Sequence, residues 1–392
     1  MIPRTLTPVL LKAATRYPVV TLTGPRQSGK TTLAKAAFPG HAYVSLEQPD
    51  ERAFALEDPK GFLARFKGPV ILDEVQRVPD LFSYLQGIVD EEDRPGHFIL
   101  TGSSHFLLLQ SISQSLAGRC AVLHLLPLSL AELEGRPSLD LGKLAGKGSS
   151  RDLEETLFTG FYPRIHDKGI PPRQWLADYY QTYLERDVRN VLNVRDLEAF
   201  SRFVRLCAGR SGQLLNLSGL AADCGISHSA ARGWISVLEA SFVVTLLRPH
   251  FGNLGKRMIK SPKVYFQDTG LLCHLLGIRE PAELHTHSCR GGIFEGFVLS
   301  ELTKNFLHRG ETAPLSFWRD SAGHEVDFLV ESGKGVLALE AKASRTLAGD
   351  SLDGLRYWRG LAKKPSARAA LVYGGDEGYV REGVTVLPWS VL

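Results

Sequence analysis

Over the first third of the chain, short runs of consecutive apolar residues alternate with stretches whose apolar positions recur every three or four residues. The runs are Val19-Val20-Thr21-Leu22, Val70-Ile71-Leu72, Phe98-Ile99-Leu100 and Cys120 to Leu126. Unbroken apolar runs predict strands buried on both faces, and strands alternating with helices predict a parallel α/β sheet extending to about Leu130. Glu134-Gly-Arg-Pro and the Gly-, Lys- and Ser-rich stretch Gly142 to Ser150 then mark a loop or boundary. From Arg151 to about Ala208 the period is helical, including Trp175 to Arg186 and Leu197 to Val204. Within it, Gly160-Phe-Tyr-Pro-Arg164 is a turn; if the segment is a lid over a nucleotide, Arg164 could sense phosphate. The expected division is 1–135 core, 136–208 helical lid, 209–283 helix-turn-helix with a strand pair, and 284–392 a second α/β domain.

Residues Gly24-Pro25-Arg26-Gln27-Ser28-Gly29-Lys30-Thr31 stand between the first apolar run and a helical stretch that opens with Thr32. This is a Walker A loop in the strand–loop–helix setting it requires. Its glycines let the backbone curl so that N–H groups face phosphate oxygens, and the helix N-terminus adds positive partial charge. Lys30 reaches the β- and γ-phosphates, and the Thr31 hydroxyl can ligate Mg²⁺. The second run ends in Asp73-Glu74, at the carboxyl end of a strand, where open α/β sheets bind ligands. Asp73 would hold Mg²⁺ through water, and Glu74 would orient and deprotonate the attacking water.

The third run leads into Gly102-Ser103-Ser104, and either serine could touch the γ-phosphate and the attacking water. Arg119 follows a helical stretch and directly precedes the fourth run. From there it could reach the γ-phosphate held by a neighbouring subunit, or simply sit on a helix C-terminus where a cation is favoured.

Asn216 to Val244 reads as a helix-turn-helix, with Gly225 in the turn and Ser227 capping a second helix that buries Ala231, Trp234, Ile235 and Leu238. A strand Phe242 to Leu247, a loop bearing Arg248, His250, Lys256, Arg257, Lys260 and Lys263, and a return strand Val264-Tyr-Phe would complete a winged helix. His228, Ser229 and Arg232 could then enter a DNA major groove while the loop lysines meet phosphates. Winged helices also serve as packing modules, and basic loops are often only solvated.

Beyond Leu284 an amphipathic helix carries Glu295, Asp327 begins a strand after a Ser-Ala-Gly turn, and the next strand ends Glu340-Ala-Lys342. Residues two apart on a strand share a face. Such a set can place Asp327, Glu340 and the Ala341 carbonyl around one or two Mg²⁺ ions, with Glu295 completing an acidic pocket and Lys342 orienting a water toward a phosphodiester. His285, His287 and Cys289 lie in a loop with no second cluster of ligands.

Composition narrows the class. The chain has 392 residues, 46 Lys and Arg against 42 Asp and Glu, and a formal net charge of +4, a balance that permits nucleic-acid contact without requiring it. Its 5 cysteines are scattered without a C-x-x-C pair, which argues against a disulfide framework or zinc cage and suits a reducing cytoplasm. Neither a secretory apolar segment nor a membrane-spanning run is present in the sequence, so a membrane partner is not expected.

Taken together the chain resembles a widespread prokaryotic group of predicted ATPases that join an AAA+ module to a winged helix and an endonuclease-like domain. The resemblance is carried by the Gly24–Thr31 loop, Leu72-Asp73-Glu74, Leu100-Thr-Gly-Ser-Ser104, Leu116-Ala-Gly-Arg119, Gly160-Phe-Tyr-Pro163, Lys263-Val-Tyr-Phe-Gln-Asp268-Thr-Gly270, and Glu295, Asp327, Glu340 and Lys342. The last four match the PD-(D/E)xK pattern, with Glu-x-Asp in place of Pro-Asp. The resemblance implies ATP and Mg²⁺ as cofactors, a sensor in Ser103 or Ser104, and Arg119 as a finger acting in trans in a homo-oligomer such as a ring. No arginine after the core stands out as a second sensor. Two functions are compatible with these residues: an ATPase that works on DNA through the winged helix and nuclease-like domain, or a nucleotide-switched DNA-binding assembly that does not cleave.

Overall fold

The computed structural model describes residues 2–103, 112, 114–183, 196–250, 260–333, 335–362 and 368–392. Ser104, Lys256 and Arg257 lie outside the described residues. The chain forms two compact units. The first comprises Met1–Leu128 with Ala240–Phe242 and Phe306–Thr312; the second comprises Ser129–Glu239, Val243–Asn305 and Ala313–Leu392. The expected segments 136–208, 209–283 and 284–392 therefore share one unit almost entirely.

The first unit is built on strands β1 (Val19–Thr23), β2 (Ala42–Ser45), β3 (Val70–Asp73), β4 (Phe98–Gly102) and β5 (Cys120–His124), all parallel, in the order β2-β3-β4-β1-β5. The apolar runs have the predicted role, because successive residues serve opposite faces. Val20, Ile71 and Ile99 pack with Leu6, Leu10 and Leu33 on one side, while Val19, Leu72 and Leu100 pack with Phe62, Leu85 and Val89 on the other. β4 lies between β1 and β3, so the tips of all three strands open on the same edge.

In the second unit the helices Leu217–Cys224 and His228–Ala240 are joined by a turn whose Gly225 takes φ 68°. Asn216 accepts from the Gly219 N–H at 2.9 Å and Ser227 from the Ala230 N–H at 3.1 Å, so both helix starts are capped by side chains. Strands β6 (Val244–Leu247) and β7 (Lys263–Phe266) follow as an antiparallel pair. The helix Arg290–Leu307 precedes a meander of β8 (Leu315–Arg319), β9 (Glu325–Ser332) and β10 (Gly335–Lys342). The helix Asp353–Ala362 leads from β10 to the parallel strand β11 (Arg368–Tyr373), and β12 (Tyr379–Arg381) and β13 (Val384–Pro388) complete a six-stranded sheet.

Two of the sequence blocks singled out above, more than a hundred residues apart, meet here. Asp268 caps the helix Thr269–Leu275 through the Leu271 N–H at 2.9 Å and accepts the Phe161 N–H at 2.7 Å. Gly160 holds φ 68°, and a Cβ there would lie 2.5 Å from Asp268 Oδ1 and 2.8 Å from the Gly270 nitrogen. The Gly160 turn is thus fastened within the second unit, and Arg164 points to solvent. Among the described residues no helix is long and apolar enough to cross a membrane.

Candidate functional site

The loop between β1 and the helix Lys30–Ala37 is shaped by positive-φ backbone at Gly24, Gln27 and Gly29. Gly24 has φ 151°, and a Cβ on it would stand 2.1 Å from the Leu125 carbonyl oxygen. Gly29 follows at φ 94° and Gln27 at φ 61°. Lys30 opens the helix with its ammonium inside the loop, donating to the Gly24 and Pro25 carbonyls at 2.9 and 2.7 Å. Burial lowers its pKa to about 8, with Glu74 and Asp73 working in the opposite direction.

The Thr31 hydroxyl donates to Asp73 Oδ1 at 3.0 Å. Asp73 also accepts from Thr101 and, at 2.9 Å, from the Tyr43 hydroxyl, whose pKa burial and Asp73 push up to about 12. Glu74 sits just beyond β3 at φ 56°. Its Oε2 accepts from Ser103 Oγ at 3.0 Å and from the Gln76 amide. Thus Lys30, Thr31, Asp73, Glu74 and Ser103 converge at the carboxyl ends of β1, β3 and β4. Thr31 Oγ1 and Asp73 present two oxygens side by side, a donor set that suits Mg²⁺ when phosphate and water supply the remaining ligands. Thr32 is exposed on the helix. Arg119 stands just before β5, paired with Asp90 of the helix Leu81–Glu92, where its NH2 lies 3.0 Å from Asp90 Oδ2.

One residue of this site carried no motif signal. Arg4 is 8 % exposed, and its guanidinium donates to the Ser28 carbonyl at 2.7 Å and the Leu126 carbonyl at 2.6 Å. It ties the phosphate loop to the segment after β5. Nothing in Met-Ile-Pro-Arg distinguishes it from a surface arginine, since its partners are backbone carbonyls far along the chain.

The second unit brings Glu295, Asp327, Glu340 and Lys342 to one cleft of about 760 Å³. Lys342 Nζ donates to Glu340 Oε2 at 2.9 Å, and the Ala341 N–H donates to Asp327 Oδ2 at 3.0 Å. Burial and the Asp327 charge push Glu340 well above the usual carboxylate range. The same two causes bring Glu295 to about 7. Asp327 stays below its ordinary value despite burial, held ionised by Lys263 and Lys342.

Lys263 corrects the sequence reading. It does not lie in a solvated basic loop meeting phosphates; it opens β7, is 3 % exposed, and puts its ammonium among acids. Glu295 Oε1 lies 2.8 Å away, Asp327 Oδ1 3.5 Å, and Glu325 is also paired with it. The pattern Lys-x-Tyr could have signalled this, because Lys263 and Tyr265 share a strand face and both bond Glu295. Among the described residues no three His, Cys, Asp or Glu side chains are grouped to hold a metal ion. The expected metal set of Glu295, Asp327 and Glu340 does not fit one metal as arranged: Glu340 bonds Asp327 and Lys342, while Glu295 faces an ammonium and a phenol. Elsewhere, His285 lies 3.3 Å from the buried Glu154, and His287 accepts the Cys289 N–H.

The family of AAA domains matches residues 16–134. Two families, each described as a domain of unknown function (DUF8612 and DUF4143), match 150–282 and 290–392. Uncharacterized proteins of Mycobacterium bovis (Mb2031c) and Mycobacterium tuberculosis (Rv2008c) are each 35% identical to this chain over 373 residues, covering 94% of it and 79% of their own length. The chain belongs to their family. Its N-terminal part is an AAA-type P-loop ATPase core on a parallel sheet, followed by regions of unassigned role. Among solved structures, a Walker-type ATPase of Pyrococcus abyssi is 13% identical, covering 70% of this chain and 96% of that one, with a TM-score of 0.46. The RuvB Holliday junction branch migration motor of Thermotoga maritima is 19% identical, covering 61% and 87%, with a TM-score of 0.29.

Proposed function

We propose that this family member hydrolyses ATP and acts on DNA. The observation that carries the hydrolysis is the convergence of Lys30, Thr31, Asp73, Glu74 and Ser103 on the edge where β1, β3 and β4 end. The ammonium of Lys30 exchanges its loop carbonyls for the β- and γ-phosphate oxygens, and the loop N–H groups bind the remaining oxygens. Thr31 and, through water, Asp73 would hold Mg²⁺, which when bound would neutralise phosphate charge. Glu74, kept in place by Ser103, takes the proton of the attacking water. Arg119 leaves Asp90 to meet the γ-phosphate of a neighbouring copy, which makes the active form a homo-oligomer. Lys30→Ala and Glu74→Gln proteins are expected to lose phosphate release; native turnover in either would remove the assignment.

DNA contact is assigned to the helix His228–Ala240, with the β6–β7 pair read as the strands of a winged helix whose buried β7 does not itself meet DNA. Support comes from the capped helix-turn-helix and from His228, Ser229 and Arg232, which are exposed while Trp234, Ile235 and Leu238 are buried. Arg232→Ala is expected to weaken duplex binding in a fluorescence-anisotropy titration; unchanged binding would remove this element from the interface.

The 284–392 region is read as endonuclease-like, supported by the meeting of Glu295, Asp327, Glu340 and Lys342 in one cleft. A second reading, a nucleotide-switched DNA-binding assembly that does not cleave, is favoured by the ammonium of Lys263 within that acid set. Incubation with linear and single-stranded DNA and Mg²⁺ or Mn²⁺ separates the two: cutting that disappears in Asp327→Ala and Lys342→Ala supports a nuclease.

A further inference from the structure

Beside Glu340 and Lys342 of β10, the acidic cleft of the second unit has a cluster of three acids from two elements, Glu295 of the helix Arg290–Leu307 and Glu325 and Asp327 of strand β9. Among the described residues, the one ammonium within ion-pair distance of all three comes from another element, the hairpin strand β7, while Lys342 of β10 also acts on Asp327. Lys263 reaches in across the Phe317 ring, whose centroid is 5.6 Å from its ammonium. Tyr265, on the same strand face, donates its hydroxyl to Glu295. Arg319 adds a second positive group at the edge, 2.9 Å from Glu325 Oε2.

Carboxylates at this density, with Asp327 buried and Glu295 and Glu325 half-buried, need a counter-charge, because an unanswered ion out of water is destabilising. The two available solutions are a divalent ion ringed by oxygens and an ammonium that donates hydrogen bonds. They exclude each other here. A divalent ion seated between Glu295 and Asp327 would need their oxygens at about 2.1 to 2.6 Å, and would meet the ammonium as a like charge within about 4 Å.

Resting on the endonuclease-like reading of this cleft, we propose that Lys263 occupies the place a divalent cation would take, so that the cleft is closed to metal for as long as β7 stays docked. The hairpin that follows the helix-turn-helix thereby governs the acid set. Removing the charge of Lys263 would convert the cleft into a cation site; replacing it with arginine would not.

The test uses the full chain without nucleotide and Mn²⁺ as the probe, followed by electron paramagnetic resonance. Cleft binding is defined as the Mn²⁺ signal lost on Asp327→Asn. The wild type and Lys263→Arg are expected to show none, and Lys263→Met to gain one ion bound at least tenfold more tightly than any wild-type site. Thermal melting runs alongside, since Lys263→Met leaves this acid cluster without its shared ammonium. Its midpoint should be low and rise with Mn²⁺, whereas the wild-type midpoint should not move. Asp327-dependent Mn²⁺ binding in the wild type would overturn the proposal. So would a Lys263→Met protein that gains neither ion nor Mn²⁺-dependent stability. Plasmid nicking is scored separately: Mn²⁺ binding by Lys263→Met without nicking would leave the lysine assignment standing and count against the nuclease reading alone.

Discussion

The Ser103 hydroxyl lies 3.0 Å from Glu74 Oε2, joining the tip of β4 to the carboxylate just beyond β3. Glu74 is already held in left-handed backbone, so its side chain has a limited range and the serine fixes it within that range. A hydrogen bond to a charged acceptor contributes about 1.5 kcal/mol, close to a factor of ten. Ser103→Ala is expected to lower the ATP turnover rate about tenfold with little change in nucleotide affinity. Steady-state phosphate release together with fluorescent-nucleotide binding would decide it, and an unchanged rate would detach Ser103 from the mechanism.

Lys30 gives the binding step a pH dependence whose sign follows from burial. Its pKa is lowered to about 8, so the free protein loses this charge as pH rises through 8, whereas an exposed lysine would keep it to about 10.4. Phosphate binding requires the protonated form. ATP affinity should therefore be flat below pH 8 and weaken about tenfold per pH unit above it. A titration series from pH 6.5 to 9.5 reads this directly; constant affinity across that range would mean the ammonium is not the group that titrates.

Arg119 is paired with Asp90 in an exposed ion pair, which is worth little to stability and is readily exchanged for a phosphate partner. Arg119→Ala is expected to depress turnover by about a thousandfold or more while leaving nucleotide binding intact. Mixing Arg119→Ala with Lys30→Ala subunits should restore part of the activity, since one supplies a working loop and the other a working arginine. Absence of recovery in mixed oligomers would argue that the arginine acts within its own subunit or not at all.

Arg4 bridges two buried carbonyls, those of Ser28 and Leu126. Replacing it with methionine leaves both without this donor, at a cost of about 1–3 kcal/mol for each group left unpaired. Arg4→Met should loosen the phosphate loop and reduce ATP affinity by about tenfold or more, with Arg4→Lys recovering part of it. A loss of melting temperature with unaltered affinity would mean the contact supports the fold and not the loop.

The ATPase core was legible because its signals are local. Gly24 to Thr31 and Asp73-Glu74 are contiguous, and their strands advertise themselves as apolar runs. Ser103 was legible only as one of two serines, because its contact with Glu74 joins the ends of two strands. Glu295, Asp327, Glu340 and Lys342 were found as a set, because strand alternation and order along the chain are visible in one dimension. Lys263 was misplaced because its neighbours Lys260, Arg257 and Arg248 give the segment the composition of a solvated loop. Its burial depends on acids supplied by a later helix and strand. Arg4 was missed for the same kind of reason: hydrogen bonds to main-chain carbonyls leave no trace in side-chain pattern. The meeting of Gly160 with Asp268 likewise depends on tertiary approach, although both blocks were noted.

That meeting limits how the protein can be dissected. Cuts near residues 208 and 283, where composition changes, separate Asp268 from the amide of Phe161 in a fragment that starts at 209. Such a fragment would carry a fully buried acid with one of its donors missing, and a piece ending at 208 would have a glycine turn with nothing to close against. Expression trials that follow those apparent seams should yield aggregating material, whereas a single piece running from Ser129 to the last residue has the better prospect of remaining in solution.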